Sequence, residues 1–207
     1  LGIKEGNIIY LRDATAAQIN KVFGNEKSHK GQAFNWVKPN VSKLYVYYVG
    51  HGAPDTEKGN SYLVPSDASA QMIELSGYSL NTLYKNLSQI PAKSITVILE
   101  ACFSGISQGG SLFLKASPIS IVPVEPEIPK NIKIISAGSS EQIASWEEDK
   151  SNSLFTKYFL YAMSGEGDLN QDGKISDEEL KNYLDDNLTY AARRYYGRDQ
   201  TAEIYNG

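Results

Sequence analysis

The sequence has few of the residues that form disulfides and zinc sites. Its 207 residues include one cysteine and two histidines. A single cysteine cannot form an internal disulfide, and so small a number of thiols and imidazoles essentially excludes a zinc cluster. The lone thiol therefore needs another explanation.

Long apolar runs and an excess of positive charge are also absent. No apolar run approaches the roughly 20 residues of a transmembrane helix. The 20 Lys and Arg residues are outnumbered by 24 Asp and Glu residues, which gives a net charge of −4. We therefore expect a soluble protein whose partners include neither membrane nor nucleic acid. The compartment stays open, with the cytoplasm slightly favoured.

The order of the apolar segments predicts an α/β fold. Hydrophobic residues make up 41% of the chain, which is enough for one domain with a sizeable core. Short apolar runs alternate with segments of helical periodicity, which predicts a mostly parallel sheet with helices on both sides. The predicted strands are 7–11, 44–49, 95–99 and 132–136, with 44–49 buried on both faces. The predicted helices are one capped by Asp13 or Thr15 and ending near Phe23, then 79–90, 153–163 and 177–195.

Two of the predicted strands end in reactive side chains. His51, between Gly50 and Gly52, follows strand 44–49, and Cys102 follows strand 95–99. The carboxyl ends of neighbouring parallel strands meet at one edge of the sheet, so we expect the two side chains to come within reach. Histidine is the usual base that activates a thiol, and the N–H groups of Gly52 and Cys102 are candidate oxyanion donors. The alternative is a small buried cysteine and an ordinary polar histidine.

At these residues the sequence resembles the caspase-like cysteine peptidases, the clan of caspases, metacaspases and legumains. YYVGHGAP (47–54) is similar to the histidine motif of that clan, and ILEACFSG (98–105) is similar to its cysteine motif. The similarity extends over nearly the whole chain and is greatest to prokaryotic, metacaspase-like members. The further similar segments are NIIYLRDATAAQI, YLVPSDA, IISAGSSEQIASW, LFTKYFLYAM and GRDQTAEIYNG.

The resemblance implies a caspase-haemoglobinase fold, a three-layer α/β/α sandwich around a mostly parallel central sheet. It implies hydrolysis of protein or peptide substrates through a thioacyl intermediate, without an organic cofactor. Cys102 is the implied nucleophile and His51 the implied general acid and base. The implied oxyanion hole consists of the N–H groups of Gly52 and Cys102.

The resemblance also implies how the chain is organised. We expect a single peptidase domain over 1–207, with a large-subunit-like part (1–106), a linker-like loop (107–130) and a small-subunit-like part (131–207). The first strand–helix unit of the family has no counterpart in this sequence, which begins without methionine or a signal-peptide pattern. Either a separate or cleaved N-terminal segment supplies that strand, or the sequence is a fragment.

Three residues are candidates for substrate binding. Glu100 lies two residues before Cys102, so its side chain is expected on the same side of the strand. By resemblance it lines the pocket for the residue before the cut bond, where its charge favours Arg or Lys. The alternatives are an internal pairing of Glu100 with Lys or Arg, and neutralisation by burial. By resemblance, Glu141 and Trp146 belong to the opposite wall of the pocket.

The segment DLNQDGKISDEE (168–179) fits the twelve-residue EF-hand loop. Gly173 occupies the sixth position, where the loop turns sharply. The same residues also suit a helix N-terminus, because Ser176 and Glu179 form a capping-box pattern. The predicted calcium ligands are Asp168, Asn170, Asp172, Lys174 through its carbonyl, Ser176 and Glu179.

The main prediction is therefore a cysteine endopeptidase that cuts after a basic residue. One alternative is a non-catalytic caspase-like binding or assembly module that binds calcium. The reactivity of Cys102 separates the two, because an activated thiol is alkylated faster than a buried one.

Overall fold

The computed structural model describes residues 3–55, 57–101, 103, 106–107, 110–111, 126–139, 142, 144–145 and 152–207. The helices are α1 (Ala16–Phe23), α2 (Gln32–Trp36), α3 (Ile73–Ser76), α4 (Leu80–Ser88), α5 (Leu154–Tyr161), α6 (Asp177–Leu184) and α7 (Tyr190–Tyr196). The strands are β1 (Lys43–Val49), β2 (Gly52–Pro54), β3 (Ser61–Leu63), β4 (Tyr78–Ser79), β5 (Ser94–Glu100), β6 (Ile106–Ser107), β7 (Gly110–Ser111), β8 (Ile132–Ser136) and β9 (Glu203–Asn206). Short 3₁₀ turns cover Glu5–Asn7 and Ala70–Met72, and π-helical segments cover Ala162–Glu166 and Asp185–Thr189.

The central sheet has the strand order β1-β5-β8-β9. β1 pairs with β5, and β5 with β8, in parallel, while β9 runs antiparallel to β8. A separate antiparallel sheet of β2, β3 and β4 begins directly after β1, and β6 and β7 form a small hairpin. The mostly parallel central sheet confirms the predicted α/β fold class.

Hydrophobic clusters cover the two faces of the central sheet. On one face, α1 and α4 pack against the strands around Leu83 and Val97, both fully buried. On the other face, α5, α6 and α7 pack around Ile98 and Phe155. Because successive strand residues point to opposite faces, Val97 and Ile98 serve different clusters. The result is a sheet between two helical layers, as the sequence predicts.

Local patterns located several helices correctly. Thr15, one of the two predicted caps, begins α1 in a capping box with Gln18, in which Gln18 Oε1 accepts the Thr15 N–H at 2.9 Å. The amphipathic segment 79–90 contains α4. The predicted helix 153–163 ends earlier, because α5 passes into a π-helical segment that contains Gly165 with φ of 124°.

The prediction that β1 is buried on both faces is wrong. Tyr45, Tyr47 and Val49 are 40%, 45% and 49% exposed, whereas Val46 on the opposite face is 7% exposed. β1 is the edge strand of the described sheet, so only one of its faces packs fully on a helical layer. An apolar run indicates a strand but does not show which faces are covered.

The predicted strand 7–11 is also wrong. Asn7 ends a 3₁₀ turn, and the residues after it pair with none of the described strands. Ile8 and Tyr10 are 51% and 80% exposed. A run with high β-propensity becomes a strand only where a neighbouring strand accepts its hydrogen bonds. Conversely, the short and half-polar β9 carries no strong strand pattern, and its pairing with β8 was missed.

Among the residues that the structure describes, none of the helices has both the length and the apolar character of a membrane span.

Candidate active site

His51 connects the central sheet to the small antiparallel sheet. The Gly50 N–H donates to the Glu100 carbonyl at 3.1 Å, which continues the ladder between β1 and β5 by one residue. On the other side of His51, Gly52 begins β2 and lies opposite Leu63 of β3. The His51 side chain is exposed. A solvent-accessible imidazole is therefore held between two backbone segments that belong to different sheets.

The N–H group of Gly52 points away from β3. The Val64 N–H donates to the His51 carbonyl at 3.0 Å, and the Asp55 N–H donates to the Asn60 carbonyl at 2.8 Å. In an antiparallel ladder, hydrogen-bonded pairs alternate with non-hydrogen-bonded ones. Gly52 therefore belongs to a non-hydrogen-bonded pair, and its N–H group faces outward beside His51.

Cys102, Glu141 and Trp146 lie outside the described residues. The described chain reaches Ala101 on the amino side of Cys102, immediately after β5. The parallel ladder runs from Lys43 opposite Ser94 to Val49 opposite Glu100. It thus ends two residues before His51 on one strand and two residues before Cys102 on the other.

Glu100 is a buried carboxylate at the end of β5, with 4% of its surface exposed. Its Oε2 atom accepts hydrogen bonds from the Thr156 hydroxyl and, at 3.3 Å, from the Tyr47 hydroxyl. The two hydroxyl oxygens lie 2.7 Å apart, so the three groups form one network. Burial and the nearby Glu100 raise the pKa of Tyr47 to about 12, which keeps its hydroxyl protonated.

The Glu100 network joins α5 to the ends of β1 and β5. Within the described part of the chain, no lysine or arginine forms an ion pair with Glu100. Sequence reasoning missed Tyr47 and Thr156, which lie 53 and 56 residues from Glu100 along the chain. No local pattern links residues so far apart, although the alternation of strand residues does place Tyr47 and Val49 on one face.

Asp55 organises the loop that follows β2. It is 1% exposed, and its Oδ1 atom accepts the N–H groups of Glu57, Lys58 and Gly59 at 3.1, 2.5 and 3.0 Å. Its Oδ2 atom accepts the backbone and side-chain N–H groups of Asn60 at 3.1 and 2.8 Å. Burial alone would raise the pKa of Asp55, but these hydrogen bonds lower it below its ordinary value. The carboxylate is therefore ionised in the folded chain.

Gln200 fastens the segment after β8. Its Nε2 atom donates to the Ala137 carbonyl at 3.0 Å, and its Oε1 atom accepts the Ser145 N–H at 2.8 Å. Gln142 adds a second link by accepting the Thr201 N–H at 2.8 Å. Gln200 is fully buried, so both ends of 137–145 are held against the residues before β9.

The loop of residues 168–179 closes on itself through its predicted ligands. Asp168 accepts the Asp172 N–H at 3.1 Å and the Gly173 N–H at 2.8 Å, and Gly173 has φ of 81°. Glu179 accepts the Asn170 N–H at 3.1 Å and, as the predicted capping box requires, the Ser176 N–H at 2.9 Å. Across the described residues, no group of three His, Cys, Asp or Glu side chains is arranged so that it could hold a metal ion.

Comparison with protein families identifies the chain. The model of the caspase domain, peptidase family C14, matches residues 8–200. The chain belongs to the caspase domain family. A comparison with curated proteins gave no match.

Membership in this family confirms the predicted relation to caspase-like cysteine peptidases. The mostly parallel sheet between helical layers is consistent with the caspase fold. The family implies hydrolysis by a cysteine peptidase, with proteins or peptides as substrates. The prokaryotic, metacaspase-like subtype stays a prediction.

Replacing Asp55 by Asn should destabilise the domain by about 1–3 kcal/mol at neutral pH. Both carboxylate oxygens of Asp55 accept N–H groups, and the NH₂ group of asparagine would face some of these donors without being able to accept from them. The folded-state pKa of Asp55 lies below its ordinary value of 3.8. The contribution of Asp55 to the free energy of unfolding is therefore complete when the pH is above the ordinary pKa. It is lost as the pH falls through the lower pKa of the folded state. Urea unfolding between pH 2 and pH 7 measures both effects.

Asp67→Asn is the matched control, because Asp67 is exposed and accepts the Ala16 N–H at 2.8 Å. We expect its effect to be smaller than that of Asp55→Asn. Equal unfolding free energies for wild type and Asp55→Asn at pH 7 would contradict the role assigned to Asp55.

Proposed function

We propose that this caspase domain is a cysteine endopeptidase in which Cys102 is the nucleophile and His51 the general acid and base. The register of the parallel ladder is the observation that carries the proposal. Lys43 lies opposite Ser94 and Val49 opposite Glu100, so the offset between β1 and β5 is 51 residues (94 − 43 and 100 − 49). The separation of Cys102 from His51 is the same (102 − 51). A ladder continued by two residues at this offset would set His51 opposite Cys102, and this supports the proposal.

The proposed reaction proceeds in two halves. His51 takes the thiol proton of Cys102, and the thiolate attacks the carbonyl carbon of the peptide bond. The tetrahedral oxyanion collapses to a thioacyl enzyme as His51 donates the proton to the leaving amine. Water, deprotonated by His51, then attacks the thioacyl carbon and releases the acid and the free thiol.

The N–H groups of Gly52 and Cys102 are the proposed oxyanion donors. The outward direction of the Gly52 N–H, derived from the alternation of the ladder between β2 and β3, supports this role. Donors that are fixed before the reaction stabilise the developing charge at little cost in reorganisation.

A basic residue before the cut bond remains our proposal for specificity. Glu100 is buried near the proposed nucleophile, and no described lysine or arginine neutralises it through an ion pair. The bonds from Tyr47 and Thr156 come from neutral hydroxyls, which orient the Glu100 side chain but bring no positive charge to it. A substrate Arg or Lys would supply the missing positive charge. Glu141 and Trp146 remain proposed residues of the opposite pocket wall.

A fluorogenic peptide panel with Arg, Lys, Asn or Asp before the cut bond tests the proposed activity. We expect cleavage after Arg and Lys, and a loss of at least about a thousandfold in kcat for Cys102→Ala and His51→Ala. His29→Ala is the matched control, because His29 is the other histidine of the chain and packs edge-on against Phe34. Cys102→Ala activity equal to wild type would exclude the nucleophile assignment. An inert wild type whose Cys102 resists iodoacetamide would favour the non-catalytic binding module.

Glu100→Gln tests the proposed specificity. The neutral amide keeps the shape of the side chain, so kcat/KM for Arg and Lys peptides should fall by about ten- to a hundredfold relative to Asn peptides. Thr156→Val is the control that removes a hydrogen bond and leaves the charge. If Glu100→Gln lowers kcat/KM equally for all four peptides, Glu100 does not select the substrate.

We also propose that residues 168–179 bind calcium. The oxygen donors of the loop suit Ca²⁺, and Gly173 turns as an EF-hand loop requires. Hydrogen bonds from Ser176 lower the pKa of Glu179, so its carboxylate is ionised and able to act as a ligand. In the described conformation Glu179 caps α6, and binding would turn it from Ser176 to the ion. Asp168, Asn170, Asp172, the Lys174 carbonyl and Ser176 complete the proposed ligand set.

Calorimetric titration with CaCl₂ tests the calcium proposal. We expect a dissociation constant on the order of 10⁻⁵ to 10⁻³ M in the wild type and loss of binding in Glu179→Gln. Glu178→Gln is the matched control, because this neighbouring carboxylate is exposed and is not a proposed ligand. Absence of any heat of binding at millimolar calcium in the wild type would contradict the proposal.

The exposed face of β1 is consistent with a further partner. Tyr45, Tyr47 and Val49 remain accessible, and β1 pairs with β5 alone among the described strands. We propose that a strand from a separate or cleaved N-terminal segment pairs with this edge. Such pairing would satisfy the open backbone groups of β1.

A further inference from the structure

The side chain of Tyr48 folds back onto the backbone of His51. Its hydroxyl donates a hydrogen bond to the His51 carbonyl at 2.8 Å, and the Val64 N–H donates to the same carbonyl at 3.0 Å. The hydroxyl oxygen also lies 3.4 Å from the Val64 carbonyl. The His51 carbonyl thus accepts one hydrogen bond from Tyr48 of β1 and another from Val64, in the segment after β3.

Gly50 makes this contact possible. A Cβ atom at position 50 would lie 2.7 Å from the Tyr48 hydroxyl oxygen and 2.9 Å from the ring carbon that bears it. Both distances are shorter than any normal contact of carbon with these atoms. A side chain at position 50 would therefore displace the Tyr48 hydroxyl from this position.

The Tyr48 hydroxyl remains a donor over the pH range of an enzyme assay. Burial raises the pKa of Tyr48 to about 12, so the hydroxyl is protonated near neutral pH. Its bond to the His51 carbonyl is therefore kept near neutral pH.

The backbone around His51 is fixed at three successive residues. Gly50 donates to the Glu100 carbonyl, the His51 carbonyl accepts from Tyr48 and Val64, and Gly52 lies in the ladder with Leu63. The imidazole itself is exposed, so its orientation depends on the backbone more than on packing. A displacement of about 1 Å at a catalytic group can lower a rate by about a hundredfold.

We propose that Tyr48 is a positioning residue for His51. Its hydroxyl fixes the His51 carbonyl, and thereby the direction in which the imidazole leaves the backbone toward the nucleophile. This inference rests on the proposed function, because it assigns His51 to acid–base catalysis. It predicts that loss of one hydroxyl, with the ring retained, affects the chemical step more than substrate binding.

Tyr48→Phe is the variant that tests the inference, with Tyr78→Phe as its matched control. Tyr78 is buried, burial raises its pKa to about 12, and its hydroxyl donates to the Gly24 carbonyl at 2.9 Å, away from His51. Each variant loses one hydrogen bond from a tyrosine hydroxyl to a backbone carbonyl, and because the Tyr78 bond is buried and the Tyr48 bond is exposed, a general loss of stability should be at least as large in Tyr78→Phe. We expect kcat to fall about ten- to a hundredfold in Tyr48→Phe alone, with little change in KM.

A second measurement follows His51 without requiring activity. The chain has two histidines, His29 and His51, so His29→Gln identifies their ring signals in an NMR spectrum. We expect the coupling constants about χ1 of His51 to indicate one rotamer in the wild type and in Tyr78→Phe. In Tyr48→Phe they should indicate averaging over several rotamers, while those of His29 stay unchanged.

The two measurements together decide the inference. Unchanged His51 couplings in Tyr48→Phe overturn it whatever happens to kcat, and so does a kcat equal to that of the wild type. If the wild type cleaves no peptide, the proposed function fails, and the couplings alone decide whether Tyr48 positions His51. An equal fall of kcat in both variants shows a general structural effect and also overturns the inference.

Discussion

The parallel pairing of β1 with β5 is the constraint on which the rest of the candidate site depends. It carries one constant offset from Lys43 opposite Ser94 to Val49 opposite Glu100, and Gly50 continues it by donating to the Glu100 carbonyl. A shift by one residue would turn every side chain of β1 to the other face of the sheet. The burial of Val46 beneath the α1 and α4 layer opposes such a shift. Core packing on one face therefore determines which residues meet at the carboxyl end of the sheet.

Buried polar side chains organise the irregular segments around that end. Asp55, Glu100 and Gln200 are each at least 96% buried, taking the exposed fractions of 1%, 4% and 0%. Burial of a polar group costs free energy unless hydrogen bonds replace those to water, and each of the three accepts or donates at least two. Loops without a regular ladder thus obtain a defined conformation from a single side chain.

Short-range patterns explain which features could be predicted from the sequence. The strands 95–99 and 132–136 and the capping box of Thr15 and Gln18 depend on neighbours within a few residues, and the structure contains them. His51 could be singled out because its flanking glycines and preceding strand are also local. The exposed residues of β1, the lack of a described strand that pairs with the segment after Asn7, and the Glu100 network all depend on residues far apart in the chain. Periodicity records which residues alternate, but not which neighbouring element is present to cover or pair with them.

The residues before His51 show how an exposed side chain that is proposed to be catalytic can be oriented. Packing does not enclose the exposed His51, so its backbone conformation contributes to the direction of the imidazole. Tyr48, three residues earlier, reaches the His51 carbonyl with its side chain lying over position 50, where a Cβ atom would come within 2.7 Å of the hydroxyl oxygen. The absence of a side chain at Gly50 therefore leaves room for the hydrogen bond of Tyr48. Gly50 suggests at first that the backbone before His51 is flexible. The structure favours a different explanation, in which Gly50 leaves room for the Tyr48 side chain and its hydrogen bond to the His51 carbonyl.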